Sequence, residues 1–150
     1  MTERRMDAEV VRNKLDAIGR ARATLARIDP LDASRLEEDG VIAAAVERLL
    51  CRMVDLAVET NTHLSGALLN RAPSDYRNSF ELAHEAGALT KELVERIKPS
   101  VGLRNTIVHE YIKVDYSIVA AAVPLALETY SEYQRQLARF VLDQAKASAR

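Results

Sequence analysis

Eight consecutive residues, Arg104-Asn105-Thr106-Ile107-Val108-His109-Glu110-Tyr111, place an arginine, an amide, a histidine and a phenol close together in the chain. Arginine is permanently cationic and forks onto phosphate oxygens. Histidine gives or takes a proton near neutral pH. Asparagine and tyrosine add an amide and a hydroxyl. This combination suits chemistry at a phosphodiester, and no other stretch of the sequence is as concentrated.

Spacing constrains how these groups meet. Arg104 and His109 are five apart, roughly 140° around an ideal helix. Asn105 and His109 are four apart and share a face. Two arrangements bring Arg104 and His109 together: a local distortion of the helix, or a second copy of the chain that completes the site. An Arg-Asn pair also marks helix ends, and a lone histidine can be purely structural, so the motif is weighed with the rest of the chain.

The 150 residues suffice for one domain with its own core. Apolar residues at 48% and charged residues at 29% give a globular rather than a disordered chain. Five Gly and four Pro leave too little material for an all-β fold rich in tight turns, while Ala, Leu, Glu and Arg favour helices. A net charge of −1 creates no global field toward nucleic acid, so any RNA contact must be local. The lone Cys51 rules out an internal disulfide and reads as a small buried residue. No apolar stretch approaches the ~20 residues that span a bilayer. Glu3, Arg4, Arg5 and Asp7 replace the hydrophobic core of a signal peptide, so the expected location is the cytoplasm.

Five helical runs carry the motif. Val11, Leu15, Ile18 and Leu25 keep a 3–4 rhythm over residues 7–28, and Asp29-Pro30 breaks it. Residues 31–40 read as a connection. Residues 41–69 carry the longest stripe, including Val46, Met53, Ala57 and Leu64, wide enough to touch two neighbours. Glu59, Asn61 and His63 fall on what reads as its solvated face, and His63 lacks a companion at metal-ligand spacing. Arg71 to Asp75 form a turn, and Tyr76 to Ala86 a short helix closed at Gly87. A helix restarts at Thr90, and the sequence leaves open whether Pro99 sits in a helix's first turn or inside a longer one. Asp115 and Ser117 are candidate caps for the last helix, in which Pro124 predicts a kink near Ala120. Tyr130 and Tyr133 read as core or interface, and Lys146 to Arg150 as a fraying tail. No Gly-rich phosphate loop, Cys/His metal pattern or fixed-period repeat is present, so no cofactor and no metal is expected. The predicted fold is all-α, a four- to five-helix bundle forming a single domain over residues 1–150 with its core at about 7–143.

With the motif on a helical scaffold, Arg104-Asn105, three residues, then His109-Glu110-Tyr111 resembles the Arg-x4-His-x-Tyr signature of HepT-type toxins of the HEPN superfamily. The Pro73-Ser74-Asp75-Tyr76…Phe80…Leu82 segment and the opening of the second long helix resemble that family too. The resemblance implies a homodimer whose motifs meet across a cleft to form a metal-independent endoribonuclease, within a type VII-like toxin–antitoxin module. It implies catalytic roles for Arg104 and His109, a supporting role for Asn105, and Tyr111 as the hydroxyl that a minimal nucleotidyltransferase antitoxin modifies with AMP to silence cleavage. Among the nearby cations Lys91, Arg96, Lys98 and Lys113, the last two are the candidate RNA-binding residues. A reading of another class is a non-catalytic helical binding subunit of a nucleotidyltransferase pair, in which Arg104 and His109 bind a nucleotide or hold a dimer.

Overall fold

The computed structural model describes residues 5–28, 30–109 and 113–149. Among them are six α-helices and no strand: α1 (Ala8–Ile28), α2 (Ala33–Glu38), α3 (Gly40–Leu68), α4 (Tyr76–Glu85), α5 (Lys91–Val108) and α6 (Tyr116–Ser148). The five runs expected from periodicity all form. The sixth helix, α2, lies in the expected connection, where the Asp32 carboxylate accepts the Arg35 N–H and Leu36 is buried. An N-cap and one apolar anchor suffice to hold a single turn and a half.

Each helix starts where a short acidic or hydroxyl side chain can take up orphan N–H groups. Asp39 accepts from Val41 and Ile42, Asp75 from Asn78, Thr90 from Leu93 and Asp115 from Ser117. At the end of α4, Gly87 takes φ +92°, a left-handed conformation that favours glycine. Pro99 lies inside α5, which continues to Val108, so the longer-helix alternative holds. Glu95, whose carbonyl loses its partner to the proline ring, is exposed to water. α6 likewise runs through Pro124 as one element and stays helical to Ser148, beyond the point where fraying was expected.

The central helix is α3, which packs against each of the other five. Val46, Met53, Ala57 and Leu64 of α3 meet Val11, Ile18 and Leu25 of α1, Phe80 of α4, Leu93 and Ile97 of α5, and Tyr130, Tyr133 and Leu137 of α6 in one core. Burial of each large apolar side chain stabilises the fold by about 1.5–3 kcal/mol. Tyr130 and Tyr133 are core residues, as expected, and Cys51 is buried. No helix among the described residues is long and apolar enough to cross a membrane.

Asn61 corrects the expectation of a solvated face, because it is fully buried. The Tyr133 hydroxyl donates to Asn61 Oδ1 (2.7 Å), Asn61 Nδ2 donates to Ser79 Oγ (3.2 Å), and Ser79 Oγ donates to the Tyr76 carbonyl (2.7 Å). An amide that would be costly to bury alone is satisfied on both ends by residues from α6 and α4. His63 is also structural: its Nε2 accepts the Asp7 N–H (2.9 Å) and ties the start of α1 to α3.

Candidate active site

Three helices converge on Arg104. Asp55 comes from the middle of α3, Tyr76 from the first residue of α4, and Arg104 with Asn105 from the C-terminal half of α5. Arg104 Nε donates to Asp55 Oδ1 at 3.0 Å. Its Nη2 donates to the Tyr76 hydroxyl at 3.3 Å, and its Nη1 to Asn105 Oδ1 at 3.4 Å. The guanidinium carbon lies 4.6 Å from the centroid of the Tyr76 ring, a cation–π stack. Tyr76 is set by its cap: Asp75 accepts the Asn78 N–H at 2.7 Å, and Asn78 in turn accepts the Ser74 N–H at 3.0 Å.

The electrostatics follow from this packing. Burial first, and then the Asp55 carboxylate, push the Tyr76 hydroxyl up from its ordinary value against the pull of Arg104, so the phenol stays protonated. The Arg104 and Asp55 side chains are 21% and 34% exposed, so the pair faces water on one side and a ligand can reach it.

Of the residues expected from sequence, Arg104 and Asn105 are brought into contact. α5 stays regular through Val108, and His109 leaves the helical path as its C-cap (φ −81°, ψ 87°), with its N–H on the Asn105 carbonyl at 3.2 Å. His109 stands exposed at this helix end, while Arg104 turns inward to α3 and α4. Tyr111 lies outside the described residues. Lys98 is only 21% exposed and is held by Glu81 (2.8 Å) and Glu95 (3.2 Å). The Glu81 hydrogen bond, chiefly, raises the Lys98 ammonium and keeps it charged, but two carboxylates cancel its field. Arg96 pairs with Glu128 at 2.7 Å, and Lys113 is exposed just before α6. Sequence reasoning missed Asp55. Its one signal is a carboxylate flanked by Met53, Val54, Leu56 and Ala57 in the apolar stripe of α3.

The sequence profile of the family described as "Ribonuclease HepT-like" matches residues 15–137. The chain belongs to the HepT-like ribonuclease family. Among curated relatives, a tRNA nuclease HepT of Aphanizomenon flos-aquae is 32% identical over 89% of this chain and 90% of its own. An mRNA nuclease HepT of Shewanella oneidensis is 27% identical over 83% of this chain and 93% of its own. In solved structures, the tri-AMPylated HEPN toxin of Shewanella oneidensis in complex with MNT antitoxin superposes with a TM-score of 0.78 at 25% identity, over 87% of this chain and 97% of that one. This HepT-like chain therefore has the all-helical HEPN toxin fold, and its enzyme class is endoribonuclease.

Proposed function

We propose that this HepT-like protein is the toxin of a toxin–antitoxin pair, cleaving RNA with Arg104 and His109 and silenced when a nucleotidyltransferase partner attaches AMP to Tyr111. The observation that carries this reading is the prearranged Arg104, stacked on Tyr76 and tied to Asp55 within five residues of an exposed histidine.

The chemistry needs only the RNA and these side chains. The 2′-oxygen of the RNA attacks the adjacent phosphorus, the bond to the 5′-oxygen breaks, and a 2′,3′-cyclic phosphate remains. His109 takes the 2′-OH proton or supplies one to the departing 5′-oxygen, help worth typically ~10² to 10⁴ in rate. Arg104 binds the phosphate and stabilises the charge that builds on it. Asn105 steadies the guanidinium.

A second copy supplies the other proton-transfer histidine. An apolar groove of 130 Å³ between α3, α5 and α6 supports docking of that copy on this side of the bundle. Leu103, the neighbour of Arg104, lines it, and Ile118 and Leu125 stand 58% and 44% exposed in it. Lys113 and Lys98 contact the RNA backbone, with the larger part falling to Lys113 because Lys98 is shared with two carboxylates.

In silencing, the Tyr111 oxygen bonds to the α-phosphorus of ATP, pyrophosphate leaves and the phenolic proton is lost. The added phosphate brings negative charge and bulk where an RNA phosphate must sit.

The test is cleavage of total RNA by the purified chain, with end-group analysis, beside growth of cells expressing it alone. Wild type is expected to leave 2′,3′-cyclic ends and arrest growth, and His109→Ala or Arg104→Ala to abolish both. Intact RNA and unaffected growth with wild type would refute the nuclease reading and favour a non-catalytic binding subunit. Intact mass of the protein co-expressed with its genomic neighbour tests the silencing: AMP-sized additions mapped to Tyr111 are expected.

A further inference from the structure

Arg104 has five N–H donors, and the described residues use three of them: Nε on Asp55, Nη2 on Tyr76 and Nη1 on Asn105. That leaves one N–H on each terminal nitrogen without a partner among the described residues, and two guanidinium N–H groups can take two phosphate oxygens. The Tyr76 ring lies against the guanidinium, and the Asp55 bond to Nε ties its inner edge to α3. Asp55 is also an anion at hydrogen-bond distance from a cation that has to receive another anion. The pair is partly buried, with side chains 21% and 34% exposed, so it is held by the fold and still open to a phosphate on one side.

We propose that Asp55 is a positioning residue for RNA cleavage: it sets which edge of Arg104 meets the scissile phosphate, and its charge weakens the grip on the RNA before reaction. This rests on the endoribonuclease reading above. A cation attracts the ground-state phosphate as well as the more highly charged transition state, and the share of that attraction common to both tightens binding without speeding the chemical step. A carboxylate on Arg104 offsets part of that attraction in both states, while its hydrogen bond keeps the fork aimed where charge develops.

The two roles separate by substitution. Asp55→Asn keeps an oxygen that accepts from Nε but loses the charge, whereas Asp55→Ala loses both. Binding is measured with an all-2′-O-methyl oligonucleotide, which cannot be cleaved, and turnover with the unmodified RNA. Asp55→Asn is expected to bind about two- to fivefold tighter, as removal of one partly screened charge implies. Its log Kd against log salt should steepen by about 0.7, one further phosphate neutralised in full, with kcat within a few-fold of wild type. Asp55→Ala is expected to lose kcat on the order of 10²-fold through misplacement of the guanidinium. Circular dichroism and thermal melting of both variants separate misfolding from loss of function.

Unchanged affinity and salt slope in Asp55→Asn, or equal losses of kcat in Asn and Ala, would overturn the proposal. Arg104→Ala and His109→Ala run alongside as the check on the underlying reading. If they abolish cleavage while both Asp55 variants match wild type, only the role of Asp55 falls. If they too cleave like wild type, the nuclease assignment of this site falls first.

Discussion

Replacing Tyr133 by phenylalanine removes one oxygen from the centre of the bundle and leaves the ring in place against Phe80, whose centroid lies 6.1 Å away. The apolar packing therefore changes little, and the cost comes from polar groups. Asn61 Oδ1 loses its donor at 2.7 Å and the Ala57 carbonyl a contact at 3.1 Å. Asn61 is fully buried, so its oxygen has no water to turn to. Stranding one buried acceptor costs about 1–3 kcal/mol. Taking about 2 kcal/mol and 2–4 °C per kcal/mol for a chain of this size gives a fall in melting temperature of about 4–8 °C. Asn61→Leu is predicted to cost less, because each of its former partners keeps another bond: the Tyr133 hydroxyl still reaches the Ala57 carbonyl, and Ser79 Oγ still donates to the Tyr76 carbonyl. The double variant should then be no less stable than Tyr133→Phe alone, since the stranded acceptor is gone. Thermal and urea unfolding of the two single variants and the double one complete the cycle. A Tyr133→Phe protein melting within a degree of wild type, or strictly additive losses in the double variant, would refute the reasoning. The relay ends on the backbone of Tyr76, so the same variants report whether the core helps hold the stacking partner of Arg104 in place.

Leu125→Glu places a charge in the apolar groove between α3, α5 and α6, and it should convert the proposed dimer to a monomer by light scattering and reduce RNA cleavage in parallel; a dimer that persists would move the interface elsewhere. Burial chiefly, then the Asp55 carboxylate, push the Cys51 thiol up to about 11, so at pH 8 roughly one molecule in 10³ carries the thiolate. Iodoacetamide should accordingly label the folded protein far more slowly than the urea-unfolded one, with the rate climbing as pH rises toward 11. Asp75→Ala removes the cap that starts α4 at Tyr76, and it should cost about 1 kcal/mol, read as a drop in melting temperature of about 2–4 °C.

Five of the six helices were legible in the chain because a helix writes its buried face at intervals of three and four residues, and its ends in caps and glycines beside it. Asp75, Gly87 and Asp115 stand where those local rules put them. The motif proposed to carry the chemistry could be picked out because Arg104, Asn105 and His109 are neighbours in sequence. Pro99 marks the limit of that logic: the proline allows either a helix start or a continued helix, and packing of Val94, Ile97 and Val101 into one core decides for the second. Partners were beyond its reach. Asp55 lies 49 residues from Arg104, and Asn61 lies 72 from Tyr133. Periodicity assigns a polar residue to water unless another helix brings it a hydrogen bond, and only the folded arrangement shows that α6 and α4 do so for Asn61. The sequence by itself determined which residues could act on a phosphodiester and that they ride on helices. The tertiary structure decided how Arg104 is held, because the groups that orient a side chain come from wherever the packed core places them.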